Sequence, residues 1–481
     1  LDYRGLRELV SRTAITLNGI GMGRNDRVAI VLPNGPQMAT AFVAASACTT
    51  TAPLNPAYTK DEYNFYLSDL NARALIVEKG SDSSAVQSAT EQGIAILEIE
   101  SEAADPAGVF NIVGGAAELS AGNPGMAQSD DTALVLHTSG TTSRPKIVPL
   151  SHANVCASAA NIQQTLGLIA DDVCLNVMPL FHIHGLMAAV LATLGKGATV
   201  CCSPGFDALR FFGWLEQANP TWYTAVPTMH QAILSRAKRN QAIVANSRLR
   251  FIRSSSSSLP AQVLHELEDT FDVPVVEAYA MTEAAHQMTC NQLPPGVRKP
   301  GTVGCAAGPE IAVMHVSDPD LLQQGETGEV VIRGDNVTTG YENNQDANAE
   351  CFVNGWFRTG DQGVMDEDGY LTITGRLKEI INRGGEKISP REVDDILMDH
   401  AAVQQVVTFA MPHKSLGEEV AAAVVLREGQ SADESSIRSF AAEHLASFKV
   451  PRKILILDES PKGATGKLQR IGLAEKLGLG T

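Results

Sequence analysis

Apolar positions in this chain come in two textures. From residue 26 to residue 279 short β-rich apolar runs alternate with longer stretches whose apolar residues recur at helical spacing. The short runs predict strands at 26–32, 73–77, 132–136, 173–178, 198–202, 222–226, 249–253 and 273–279. The longer ones predict helical segments at 36–48, 186–194, 209–217, 229–237 and 261–270. Strand and helix alternating at this spacing build crossover units, and so mostly parallel sheets covered on both faces. Beyond residue 300 the runs shorten and Gly and Asp separate them, with strands expected at 311–316, 328–332 and 370–374; this texture suits a small antiparallel or barrel-like unit.

From residue 376 a strand-like 379–381 leads to a helix that opens at Ser389-Pro390, with Ser389 as N-cap and Pro390 as first helical residue. Strands at 403–409, 420–426 and 453–457 and a helix at 434–445 complete a compact α+β unit. The expected fold class is α/β. A large N-terminal domain, 1–375, is made of crossover-connected sheets and includes a β subdomain at about 301–375; a smaller α+β domain, 376–481, follows a boundary at 375–378.

The loop after the run 132–136 changes the picture. His137-Thr138-Ser139-Gly140-Thr141-Thr142-Ser143-Arg144-Pro145-Lys146 packs five hydroxyl side chains, a flexible glycine and two cations into one short stretch before an amphipathic segment at 151. Read as strand, hydroxyl-rich loop and helix, it presents several donors to a polyphosphate. It is not a Walker A loop, because Pro145 stands where a second Gly would precede the Lys. A polar turn is the plainer reading of the loop by itself. The run Ser254 to Ser258 lies between a strand and a helix, so it reads as a loop at a strand's carboxyl end, where open α/β sheets bind ligands.

Composition narrows the partners. A net charge of −17 over 481 residues argues against nucleic acid, which requires a basic face. No run of about 18 apolar residues predicts a membrane span. The eight Cys show no C-x-x-C pair or zinc spacing and are expected as reduced core residues, without a structural metal. No basic-then-apolar start marks a secretory signal, so a cytoplasmic location is expected, or a peroxisomal one if a targeting segment has been trimmed. Oligomeric state is not legible.

Taken together, the pieces resemble the adenylate-forming superfamily of acyl-CoA ligases, peptide-synthetase adenylation domains and luciferases. The resemblance spans essentially the whole chain. Besides the hydroxyl-rich loop it rests on Tyr279-Ala280-Met281-Thr282-Glu283, Gly328-Glu329-Val330 to Gly334, Arg358-Thr359-Gly360-Asp361, Gly375-Arg376-Leu377-Lys378 with Gly384 and Pro390, and Pro461-Lys462 to Gly466-Lys467. It implies that a carboxylate attacks the α-phosphate of ATP to give acyl-AMP and pyrophosphate, and that the thiol of CoA then displaces AMP. Both steps gather negative charge in a small site, so placed cations and donors carry the catalysis.

The resemblance also implies roles. Thr138, Ser139, Gly140, Thr141, Thr142 and Lys146 would hold the β and γ phosphates; Thr282 would bond the α-phosphate and Glu283 would ligate Mg²⁺. Asp361 and Arg376 match the ribose-binding pair. Ser256 and Ser257 would flank the adenine with Glu277, Ala278 and the stacking ring of Tyr279. Lys467 matches the lysine that bridges carboxylate and α-phosphate. Lys378 falls on the hinge about which the C-terminal domain swings, and Gly384 and Gly385 would line the CoA channel. A non-catalytic nucleotide-binding module would be expected to have lost Lys467 or Glu283. The sequence departs from the family where Ser143 and Ile147 replace loop glycines.

Three stretches look like the oxalate–CoA ligase branch: the loop with Arg144, Pro179-Leu180-Phe181-His182-Ile183-His184-Gly185, and Glu277 to Met288. A small polar acid agrees with the residues. Oxalate keeps a second carboxylate after adenylation, and burying it without donors is costly. Ser256, Ser257, His184 and His286 are the candidate donors, with Arg253 a further cation if it points inward. A short- or medium-chain acid such as malonate or a fatty acid, and an aryl or amino acid, stay open as alternatives.

Overall fold

A computed structural model describes residues 1–114, 121–138, 145–459, 461 and 470–480, and four sheets form among these residues. The first comprises β1 Arg27–Ile30, β2 Thr50–Pro53, β3 Ala74–Glu78, β4 Ala95–Glu100, β5 Asn111–Gly114, β6 Thr132–Thr138 and β7 Lys146–Ser151, in the order β5-β4-β3-β1-β2-β6-β7. Its centre, β4 to β6, is parallel, and antiparallel β5 and β7 close the edges.

The second sheet repeats the theme. Its strands are β8 Val173–Asn176, β9 Thr199–Cys202, β10 Trp222–Ala225, β11 Phe251–Ser255, β12 Val275–Met281, β13 His286–Cys290 and β14 Cys305–Ala306, ordered β14-β13-β12-β11-β10-β8-β9. Strands β8 to β12 run parallel, and every residue of β10 and β11 is buried, as crossover helices on both faces require. The segment His184–Leu191 is apolar after its first residue, and its core is shared with both sheets. A helix apolar all round belongs inside a protein.

The third sheet is antiparallel: β15 Glu310–Met314, β16 Thr327–Arg333, β17 Phe352–Val353, β18 Trp356–Met365 and β19 Leu371–Arg376. The fourth consists of β20 Ile381–Arg383, β21 Glu386–Ile388, β22 Val403–His413, β23 Gly417–Leu426 and β24 Lys453–Ile456. Ser389 caps the helix Pro390–Met398 by accepting from the Glu392 amide, and Pro390 opens it, as the local sequence predicts. One apolar cluster joins Phe212, Ile233 and Leu267 on the helices of the second sheet to Val393, Val406 and Ile454 of the C-terminal unit. The Gln231 amide donates to the Gln404 carbonyl at 2.9 Å across the same seam. No described helix is long and apolar enough to cross a membrane.

Several local expectations change. The hydroxyl-rich loop does not lead straight into a helix: β7 intervenes, antiparallel to β6, and the helix His152–Thr165 starts behind it with Ser151 as cap. Three apolar residues around Pro149 are too short a run to read as a strand, and pairing with β6 makes it one. Strand β18, Trp-Phe-Arg-Thr-Gly-Asp-Gln-Gly-Val-Met, has two glycines and three charged or amide side chains, yet ladders on both sides hold it extended. The strand expected at 379–381 begins only at Ile381, because residues 377–379 form a turn. The segment 186–194 is helical but starts as a π-helix. All eight cysteines are free; Cys48, Cys174 and Cys290 are buried, whereas Cys156 is exposed on the outer face of its helix.

Candidate functional site

Three side-chain clusters gather at the carboxyl ends of β10, β11 and β12 and against β18. The first is set by register. Asp361 on β18 stands opposite Arg376 on β19, so the guanidinium meets the carboxylate with Nε at 2.7 Å from Oδ1 and Nη2 at 3.3 Å from Oδ2. Tyr279, near the end of β12, donates its phenol to Oδ2 at 2.5 Å. Asp361 is buried while Arg376 keeps nearly half its side chain exposed, and the carboxylate raises the Arg376 pKa further above its ordinary value. Burial first, and Asp361 second, push the Tyr279 phenol up, so it stays a donor.

The second cluster lies just past β12, where Thr282–Ala284 form a single tight turn. Glu283 is buried, and burial raises its pKa although Tyr341 donates to Oε1 at 2.8 Å. The Lys146 ammonium sits 4.4 Å from the centroid of that same Tyr341 ring. Lys146 opens β7 opposite Thr138, so the strand pair holds both ends of the hydroxyl-rich loop. Ser139, Gly140, Thr141 and Thr142 of that loop, and Lys467 near the C-terminus, lie outside the described residues. Tyr341 was missed in the sequence; one aromatic in the loop Thr-Gly-Tyr-Glu-Asn carries no local signal, and only the fold brings it to Glu283.

The third cluster is the most enclosed. His184 opens the π-helical segment, fully buried, with Nδ1 3.0 Å from Ser256 Oγ and Nε2 2.6 Å from Thr224 Oγ1. The His286 ring stacks on it at 4.9 Å between centroids and 28° between planes. Ser256 and His286 both have positive φ, 75° and 102°, a backbone region that costs energy for side-chain-bearing residues and is concentrated at functional sites. Arg253 does point inward and is fully buried: Nη1 lies 3.4 Å from Thr224 Oγ1 and 3.5 Å from His184 Nε2, and Nη2 donates to Gln287 Oε1 at 3.1 Å.

Other expected residues are placed less directly. Ser257 is exposed, beside half-buried Ser256. The Glu277 side chain lies beneath the serine loop, where Oε1 accepts from the Leu259 amide at 2.8 Å and burial lifts its pKa to about 7. Ala278 offers its carbonyl to Ser255 Oγ at 2.9 Å. Lys378 follows Arg376 in a turn whose Leu377 amide bonds the Gly360 carbonyl, so it adjoins the Asp361 cluster. Gly384 and Gly385 make the turn between β20 and β21 with φ of 59° and 100°, which only glycine adopts without strain.

With this geometry in hand, comparison places the chain among known proteins. The AMP-binding enzyme model matches residues 1–342, and the AMP-binding enzyme C-terminal domain model matches residues 392–467. An oxalate–CoA ligase of Arabidopsis thaliana is 44% identical, over 98% of this chain and 92% of that protein. An oxalate–CoA ligase of Saccharomyces cerevisiae is 43% identical, over 94% of this chain and 87% of that one. Among solved structures, ATP-bound MatB from Rhodopseudomonas palustris superposes with a TM-score of 0.87 at 28% identity, covering 98% of this chain and 93% of its own.

Proposed function

The chain belongs to the AMP-binding enzyme family, and from that premise we propose that this AMP-forming acid–CoA ligase takes oxalate as its acid. The carrying observation is the enclosed cluster of His184, Ser256 and His286 beside the Glu283 and Asp361 clusters. It brings buried imidazole rings and a half-buried hydroxyl together at the edge of the interior, which is what a second carboxylate needs.

In this reading one carboxylate oxygen of the acid forms a bond to the α-phosphorus of ATP as pyrophosphate leaves; the CoA sulfur then bonds the acyl carbon as AMP leaves. Thr138, Ser139, Gly140, Thr141, Thr142 and Lys146 hold the outer phosphates, and Thr282 bonds the α-phosphate. Asp361 accepts from the ribose hydroxyls, and Arg376 and Tyr279 fix its rotamer through three hydrogen bonds. Ser256, Ser257, Ala278 and Tyr279 form the adenine side, and Glu277 supports it by anchoring the serine loop through Leu259. Lys467 supplies the cation between carboxylate and α-phosphate, Lys378 serves as hinge, and Gly384 with Gly385 border the thiol's approach.

Glu283 fits Mg²⁺. It is a hard oxygen donor whose burial leaves its charge poorly solvated, and Tyr341 orients it from one side. Bound there, Mg²⁺ would neutralise phosphate charge. The test is pyrophosphate release over a panel of acids, with and without CoA. Oxalate is expected to give release that becomes continuous turnover once CoA is added. Release with octanoate or benzoate but none with oxalate would leave the ligase and remove the acid.

A further inference from the structure

Arg253 is fully buried, and the groups that bond it, Thr224, Gln287 and His184, carry no negative charge. Its Nε has no hydrogen-bond partner among the described residues. A guanidinium stays charged in a protein, and burial here lowers its pKa only to about 10. Buried charges are ordinarily paired, and an unpaired one is costly. A well-packed apolar residue of similar size would serve the fold as well, so stability alone does not account for the charge.

The hydrogen-bond directions show what it serves. Arg253 only donates, so it bonds Thr224 Oγ1 as an acceptor at 3.4 Å, and an N–H on His184 Nε2, 3.5 Å from the same cation, would point a proton at it. Thr224 then has its own proton to give, and His184 Nε2 at 2.6 Å takes it. With Nε2 accepting, the imidazole carries its proton on Nδ1 and donates to Ser256 Oγ at 3.0 Å. The Ser256 proton is thereby turned away from His184, and Ser256 is the half-buried member of the chain, where the interior meets the open side.

We propose that Arg253 is a specificity-determining positioning residue: a buried cation that sets one direction of donation through Thr224 and His184 to Ser256, so that the pocket selects an acid carrying a second negative group. The inference rests on the reading of this pocket as the acid site. It extends that reading from which groups touch the acid to why a dianion is chosen over a monoanion of the same length.

The test compares oxalate with glyoxylate, which has two carbons and one carboxylate, in pyrophosphate release by wild type, Arg253→Met, Arg253→Lys and Thr224→Val. Arg253→Met should lower kcat/KM for oxalate about 10- to 100-fold, chiefly through the oxalate KM, with the ATP KM unchanged and glyoxylate little affected. Arg253→Lys should restore part of the preference, and Thr224→Val should lose part of it with the charge still present. An Arg253→Met enzyme that keeps the wild-type oxalate to glyoxylate ratio overturns the proposal and leaves the oxalate reading intact. If Arg253→Met does not fold by circular dichroism, an unchanged ratio in Thr224→Val overturns it instead. If wild type ignores oxalate, the acid assignment fails. The Arg253 proposal then survives only if wild type prefers some other dianionic acid to its monoanionic counterpart and Arg253→Met removes that preference; any other result ends both.

Discussion

Two arginines flank the site, and they are held in opposite ways. Arg376 stands half exposed with its counter-charge directly across a strand ladder, and the pair is fixed further by Tyr279. Arg253 is fully buried and is bonded by an amide, a hydroxyl and an imidazole. The first arrangement carries its own counter-charge, so its work is geometric: it holds one carboxylate rotamer, which in the proposed reading faces the ribose. The second has no counter-charge among the described groups that bond it, and its proposed work is discrimination, because a buried cation raises the affinity for anions over neutral groups of the same shape. Removing a residue from the first cluster should therefore affect every acid alike, and removing one from the second should affect some acids and not others.

The largest expected effect is on the complete pair. Asp361→Ala strips Arg376 of its partner and takes an acceptor from the nucleotide, so kcat/KM for ATP should fall on the order of 10²- to 10³-fold, equally for every acid tested. A loss that varies with the acid would erase the contrast. Next comes His286→Ala, which removes a ring stacked on His184 and, in the proposed reading, one donor to the acid. Oxalate kcat/KM should drop roughly 10- to 100-fold while any monocarboxylate accepted as a side substrate changes far less, read by pyrophosphate release. Equal loss for both would make His286 a packing residue.

Tyr279→Phe tests how much of the first cluster is positioning. One hydrogen bond to Asp361 goes while Arg376 keeps two, so the ATP KM should rise about three- to tenfold with the acid preference unchanged. The smallest effect concerns stability. Burial raises the Glu277 pKa from 4.5 to about 7, so between those values the folded state holds a proton that the unfolded state has released. Its contribution is present in full below pH 4.5 and is lost as pH climbs toward 7. Glu277→Gln should flatten that stretch of a Tm against pH curve; an unchanged slope would show that Glu277 is ionised in the folded protein.

Much of this organisation is legible in the linear chain. Alternating apolar runs announce parallel sheets because a strand buried on both faces must be apolar throughout, and the cap Ser389-Pro390 announces its helix because only local hydrogen bonds are involved. The motifs around Thr282, Asp361, Arg376 and Lys467 carry, through residue type and order, the resemblance to adenylate-forming enzymes. What depends on distant neighbours is not legible. Strand β18 reads as a polar, glycine-bearing loop and becomes a strand only because β16 and β19 complete its ladders. Tyr341 reaches Glu283 from 58 residues away. Arg253 is one charged residue in an otherwise ordinary strand, and whether it faces solvent or the interior is invisible without the sheet around it.

By itself, then, the sequence determined the class of fold through local periodicity, and the kind of chemistry through the resemblance its ordered motifs carry. The tertiary structure alone decided that His184, Thr224, Arg253, Ser256 and His286, spread over about a hundred residues, share one cluster within hydrogen-bond and stacking distance. The physical reason is range: hydrogen-bond direction and desolvation act over a few ångströms in space, and nothing in a linear chain records which distant residues will come that close.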